Sequence, residues 1–171
     1  LGLLADLHAQ QDVVLQIIVA DGGSGDGTPA VARSHGAEVV ESTPGRGVQM
    51  NAGAAQATGD WLCFLHADSR LTDARQLVDA LAHLEAANNA RIAGHFALRF
   101  MREADGRRFF YRYMEAKSAT GRRYTINGDQ GLLLRASFFV ELGGFDTRLS
   151  FLEDQRIAAA IEQAGAWRLC P

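Results

Sequence analysis

Between Val13 and Ala87 the chain passes three times from an apolar run through a glycine- or acid-rich loop into a helical pattern. Val13 to Ala20 (VVLQIIVA) is a β-branched strand, and it ends at Asp21-Gly22-Gly23-Ser24-Gly25-Asp26-Gly27, too rich in glycine for regular structure. Thr28 is placed to cap a helix with Pro29 at its first position, and Gly36 to stop it. Ala37 to Glu41 is a short strand, followed after Pro44-Gly45 by a helix from Arg46 to Ala57 that Gly59 closes. Gly53 inside that helix is unfavourable by roughly 1 kcal/mol against alanine, which predicts close packing or backbone approach there. The third unit is the strand beginning at Trp61, then an amphipathic helix from Asp73 to Ala87 with Leu77, Leu81 and Leu84 on one face. Such alternation with short connections specifies an α/β domain, a parallel sheet flanked by helices.

The second half is less regular. Ile92 to Phe100 and Gly131 to Leu134 read as strands, Ala136 to Leu142 as a helix broken by Gly143-Gly144, and Trp167 to Cys170 as a last strand. Glu153 and Asp154 precede a helix running to Ala164. Gly106 to Ser118 reads as a helix with Phe109, Phe110, Tyr113 and Met114 on one side and arginines on the other; that apolar side needs a cover, either the core or an acceptor or membrane surface. With no repeat, low-complexity tract or linker, residues 1–171 read as one domain. The chain opens at Leu1 on a helical pattern (Leu1, Leu4, Leu7, His8) and stops at Pro171 after a strand, so a domain truncated at both ends, lacking its first strand, is expected.

A net charge of −3 argues against general nucleic-acid affinity. The charge is unevenly spread, however: Arg99 to Arg123 holds eight basic residues against Glu103, Asp105 and Glu115. Lys117 is the chain's single lysine, so its cations are guanidinium forks suited to phosphate and carboxylate. Cys63 and Cys170 form no CxxC pair and read as small buried thiols in a reducing compartment. No apolar run reaches the eighteen or so residues of a membrane span. A cytoplasmic protein is expected, with peripheral contact at the inner membrane face as the sharper reading of the aromatic-basic helix.

Three acidic elements stand at strand ends or helix starts: Asp21, His66 with Asp68, and Glu153 with Asp154. The run Trp61-Leu62-Cys63-Phe64-Leu65 is short and apolar, as in a strand buried on both faces, and it leads straight into His66-Ala67-Asp68. Carboxyl ends of strands in open α/β sheets are where ligands bind, so Asp21 and Asp68 are expected to face one crevice. Each also has a bland reading, as a turn carboxylate or an acidic helix start.

The segments DGGSGDGT (21–28), GRGVQMNAGAAQATGDWLCFLHAD (45–68), GDQGLLLRASFFVELGGFD (128–146) and ED (153–154), in this order, resemble the family 2 glycosyltransferases. The HAD and GDQ tripeptides are most similar to those of the radical-SAM/selenodomain-associated transferase subgroup. The resemblance covers nearly the whole chain and implies the Rossmann-like, mostly parallel nucleotide-sugar-binding fold called GT-A. It also implies a transfer of sugar from a nucleotide-diphosphate donor to an acceptor hydroxyl, inverting and metal-assisted, in a bacterial cytoplasm. The acceptor and the sugar are left open.

Residue by residue, the resemblance makes Asp21, with Gly22 and Gly23, the nucleotide-binding turn, and Asp68 the ligand of a divalent metal, manganese or magnesium. One hard carboxylate can suffice for a cation shared with a diphosphate. His66 stands where the family's first motif aspartate would be, and there it could meet a ribose hydroxyl or the metal. Arg46, between glycines at a helix start, suits phosphate. Asp154 matches the catalytic base, while Glu153 and Asp129 lie where the family meets its acceptor or the transferred sugar. Two alternatives compete: nucleotidyl transfer of the sugar-nucleotide type, and a non-catalytic nucleotide-binding module, which only His66 favours. A dinucleotide-binding domain is weaker, because Asp21-Gly22-Gly23 puts an acid where pyrophosphate would approach.

Overall fold

The computed structural model describes residues 2–101, 108–120, 130–148 and 153–171. Strands β1 (Ile18–Asp21) and β2 (Glu38–Glu41) pair in parallel as a two-stranded sheet with Asp21 opposite Glu41. A four-stranded sheet has the order β3 (Trp61–Phe64), β5 (Leu132–Arg135), β4 (Ile92–His95), β6 (Ala166–Leu169). Strand β5 runs against both neighbours and β4 is parallel to β6, so three of these four strands share one direction. The sheet is thus mostly parallel, as expected, with β5 the antiparallel strand. Its run Leu132-Leu133-Leu134 is central and buried on both faces, and such a run looks the same in either direction.

Helix α1 (Gly2–His8) opens the described chain, α2 (Thr28–Ser34) joins β1 to β2, and α3 (Arg46–Gln56) leads to β3. Helices α4 (Gln76–Glu85), α5 (Arg108–Ser118), α6 (Ala136–Leu142) and α7 (Glu153–Ala164) complete the set. One face of the larger sheet carries Leu62, Ala93, Leu132 and Leu134 against Phe138 and Phe139 of α6 and Ile157 and Ile161 of α7. The other carries Ile92 and Leu133 against Leu77, Ala80 and Leu84 of α4, with Leu3 and Leu7 of α1 alongside. Alternation along β5 divides its leucines between the two faces. Gly94 is required here: a Cβ would stand 2.5 Å from the Cys170 Sγ.

Several local expectations are corrected. The first strand begins at Ile18 rather than Val13, because Val13 and Leu15 pack on the α4 cluster while Val14 is 99% exposed, an extended segment without a ladder partner among the described strands. The cap of α2 is Gly27, at φ 83°, and Thr28 is already helical; the Asp26 carboxylate accepts the Thr28 N–H at 3.0 Å. Strand β3 lies at a sheet edge, so Leu62 is buried but Cys63 is exposed; the buried thiol is Cys170, whose pKa burial pushes up to about 11. Strand β4 ends at His95 rather than Phe100. At Gly53 a Cβ would meet Ala20 and Ile18 at ordinary contact distances of 3.7 and 3.9 Å, so close approach does not demand that glycine; Gly47, where a Cβ would stand 3.3 Å from the Asp146 carbonyl oxygen, is the tighter position.

Candidate active site

Past the end of β3 the chain turns at His66, whose carbonyl accepts the Ser69 N–H at 3.0 Å. His66 lines a pocket of about 30 Å³ with Asp154 from the first turn of α7, Met50 of α3, Phe64, Phe145 and Trp167. The pocket walls are aromatic: Phe64 packs edge-on against Phe145 at 5.1 Å, and Phe139 behind them lies tilted against Phe64 at 5.1 Å. Thus two residues 88 positions apart, an imidazole and a carboxylate, meet on one apolar cleft. Apolar walls strengthen electrostatic interactions inside such a cleft.

The acidic pair divides its work. Glu153 is buried, and its Oε1 lies 4.0 Å from Nη1 of Arg46 at the start of α3. Asp154 is on the pocket wall, and its Oδ1 accepts the Gln155 N–H at 2.8 Å. Phe145 and Asp146 are held from two sides. Asn51 of α3 donates to the Phe145 carbonyl and accepts the Phe145 N–H, both at 2.9 Å. Asp146 is paired with Arg148 at 2.9 Å and with Arg156 of α7 at 2.5 Å, and these guanidinium partners hold its carboxyl well below the usual carboxylate range. The Asn51 clamp was missed from sequence; a helix-interior asparagine, whose amide competes for backbone partners, was the available signal.

Asp21 sits elsewhere. It is buried, and its Oδ2 accepts the N–H groups of Gly23 and Ser24 at 2.9 Å each. The Ser24 side chain and these amides hold its carboxyl below the ordinary value. Gly23 is at φ 94°, a left-handed corner suited to glycine, and a Cβ on Gly22 would stand 3.1 Å from the Gln49 side chain. Among the described strands β1 and β3 belong to separate sheets, so no ladder joins the strand that ends at Asp21 to the one that leads to Asp68. The link between them is α3: Gln49 donates to the Ala20 carbonyl at 2.9 Å, Met50 lines the pocket, and Asn51 holds Phe145.

Asp68 is exposed, two residues beyond His66. Among the described residues no three His, Cys, Asp or Glu side chains converge into a cation cage of protein ligands alone. An exposed carboxylate beside a pocket-edge histidine fits instead a cation that takes most of its oxygen ligands from a diphosphate. Asp129 lies outside the described residues. Its neighbour Gln130 is buried, donating to the carbonyls of Phe96 at 3.0 Å and Ser118 at 3.4 Å while its own carbonyl accepts the Phe96 N–H. In the GDQ tripeptide the glutamine is thus a structural tie between the end of β4, α5 and the pocket residue Gly131.

The chain superposes on two solved structures that contain a sugar nucleotide or a nucleotide. A mannosyltransferase from Pyrobaculum calidifontis, in complex with GDP-Man and Mn2+, matches at TM-score 0.73 and 23% identity over 98% of this chain and 49% of that one. S. aureus TarS in complex with UDP matches at TM-score 0.75 and 18% identity over 98% of this chain and 52% of that one. The chain therefore spans about half the length of these structures, and the likeness establishes its fold as GT-A-like, a mostly parallel α/β sheet flanked by helices. No curated protein matches this sequence. The sequence model of glycosyl transferase family 2 matches residues 1–161, and the chain belongs to that family.

Proposed function

We propose that this domain transfers a sugar from a nucleoside-diphosphate sugar to an acceptor hydroxyl with inversion, and that Asp154 is the general base. The observation that carries the reading is the meeting of Asp154 and His66 on one aromatic-walled pocket at the end of β3. The acceptor oxygen attacks the anomeric carbon, the bond from that carbon to the diphosphate oxygen breaks, and the acceptor proton passes to the Asp154 carboxylate. The leaving diphosphate takes the bonding electrons. General-base help of this kind contributes about 10²–10⁴-fold. Glu153, held against Arg46, keeps the start of α7 in place. The Asp21 turn, with Gly22 and Gly23, receives the nucleobase end of the donor, and Arg46 the phosphate end.

A divalent cation, manganese or magnesium, would be held by Asp68 with His66 beside it and would supply charge neutralisation on the leaving diphosphate. The complexes of the two neighbours with GDP-Man and Mn2+ and with UDP support donors of this class. Within the family we place the chain in the radical-SAM/selenodomain-associated subgroup, on its HAD and GDQ tripeptides. Titration calorimetry of wild type and Asp68→Ala with UDP and GDP, with and without manganese, tests this. Metal-strengthened binding in wild type alone is expected. If manganese changes nothing in wild type, the assignment of Asp68 is wrong; if neither nucleotide binds, the donor class is wrong.

A further inference from the structure

Helix α5 is attached to the protein by the side opposite to the one its hydrophobic pattern predicts. Tyr111, Glu115 and Ser118 recur on one face and hold the segment Leu98–Phe100. The Leu98 N–H donates to Ser118 Oγ at 2.9 Å, the Phe100 N–H donates to Glu115 Oε1 at 3.0 Å, and the Phe100 and Tyr111 rings lie 5.1 Å apart. Ser118 is 2% exposed. With that face fixed by hydrogen bonds, the helix cannot roll. Its other face leaves Phe109 87%, Tyr113 58% and Phe110 55% exposed, with Arg112 exposed among them and the half-buried Lys117 alongside. The segment α5 rests on adds the exposed Arg99 and Met101. Of the covers the sequence left open, the core does not bury these three aromatics.

We propose that α5 is an interfacial helix that docks this domain on an anionic membrane surface, its aromatic side chains entering the headgroup region and its cations meeting lipid phosphates. Charge selects this occupant. Among the described side chains the helix and the segment it rests on carry Arg99, Arg112 and Lys117, and Glu115 is turned inward onto the Phe100 amide. A second copy of the chain would set one basic face against another across a two-fold interface. A lipid surface instead attracts each nearby cation and accepts the apolar side chains, which is how basic amphipathic helices bind bilayers. Nucleic acid would match the charge, but it offers less to three adjacent aromatics and Met101 than an acyl boundary does. Docking also holds the pocket close to the bilayer, since the C-terminal end of α5 is tied through Gln130 to Gly131 on the pocket wall.

The experiment is co-sedimentation of the protein with phosphatidylcholine vesicles, with and without phosphatidylglycerol, at low and high salt. Wild type is expected to bind only the phosphatidylglycerol vesicles, and less as salt rises. Phe109→Ser/Tyr113→Ser should abolish binding while circular dichroism and thermal midpoint stay at wild-type values, because both side chains are exposed. Arg112→Gln/Lys117→Gln should weaken partitioning roughly 30-fold, at about 1 kcal/mol per cation near the surface. Absence of wild-type binding at low salt overturns the proposal, as does retained binding in the well-folded double serine variant. A wild-type dimer in analytical ultracentrifugation that Phe109→Ser dissociates, or binding to an oligonucleotide but not to vesicles, would also overturn it.

Discussion

The stretch up to Asp60 and the remainder of the chain hold their shape by different means. Among the described residues of the first stretch only Asp21, Ala32, Ala37 and Gly47 are buried, a thin core of small side chains and one carboxylate. Past Asp60 the two faces of the larger sheet bury Phe138, Leu134, Ile161, Leu84 and Ile92 almost completely. The corner proposed for the nucleobase is therefore shaped by hydrogen bonds from loop amides to a carboxylate, and the pocket proposed for chemistry by packing. The contrast suits the proposed division of labour: low local burial lets a binding loop adjust, while a base must be held in one place. The two acids are held differently as well. Asp21 is used by backbone amides, whereas Asp154 stands on a pocket wall.

The comparison can be broken by stability measurements. Phe138→Ala removes a side chain 1% exposed in the core behind the pocket and should lower unfolding free energy by about 3–5 kcal/mol. Ala32→Gly in α2 should lower it by only about 1 kcal/mol. Equal denaturant midpoints for the two variants would refute the asymmetry.

Next in size is a pH effect. His95 is fully buried beside Trp167, its ring nitrogens have no hydrogen-bond partner among the described residues, and burial pushes its pKa down to about 4. The unfolded imidazole takes a proton near its ordinary 6.5 while the folded one does not. Stability is thus full above 6.5 and falls as pH drops from 6.5 to about 4, by up to about 3 kcal/mol. His95→Phe should flatten that slope in denaturant titrations run across this window.

The smallest effect belongs to the other region. The Asp21 carboxyl is held below its ordinary 3.8, so its contribution is present above that value and is lost as pH falls through the lower folded value. Asp21→Asn should be less stable than wild type at neutral pH, and the difference should shrink in acid. A constant difference between the two proteins at every pH would show that the amide contacts of Asp21 do not depend on its charge.

Much of the fold was legible because glycines mark its corners. Gly36, Gly143 and Gly144 take the left-handed conformation where the helices were expected to stop, and Leu77 and Leu84 are buried where α4 was expected to face the core. Strand direction was not legible at β5, since an all-leucine run carries no directional signal. Nor was the docked face of α5, because Glu115 and Ser118 accept backbone N–H groups there and fix a face the hydrophobic pattern does not mark. At the site, His66 and Asp154 could be picked out from a strand end and a helix start. Their shared pocket could not, because Met50, Phe145 and Trp167 reach it from three distant parts of the chain. Periodicity is local, and these contacts are not.

The central claim is that Asp154 acts as a base on the pocket wall rather than as a helix start. The most direct measurement is the single-turnover transfer rate of Asp154→Asn beside wild type, in the full-length protein with a donor sugar nucleotide that binds it and an acceptor. The asparagine keeps the shape and an oxygen for the Gln155 N–H but removes basicity. The rate should fall by about 10²–10⁴-fold with donor affinity nearly unchanged. A rate within a few-fold of wild type would contradict the account and return Asp154 to its structural role at the first turn of α7.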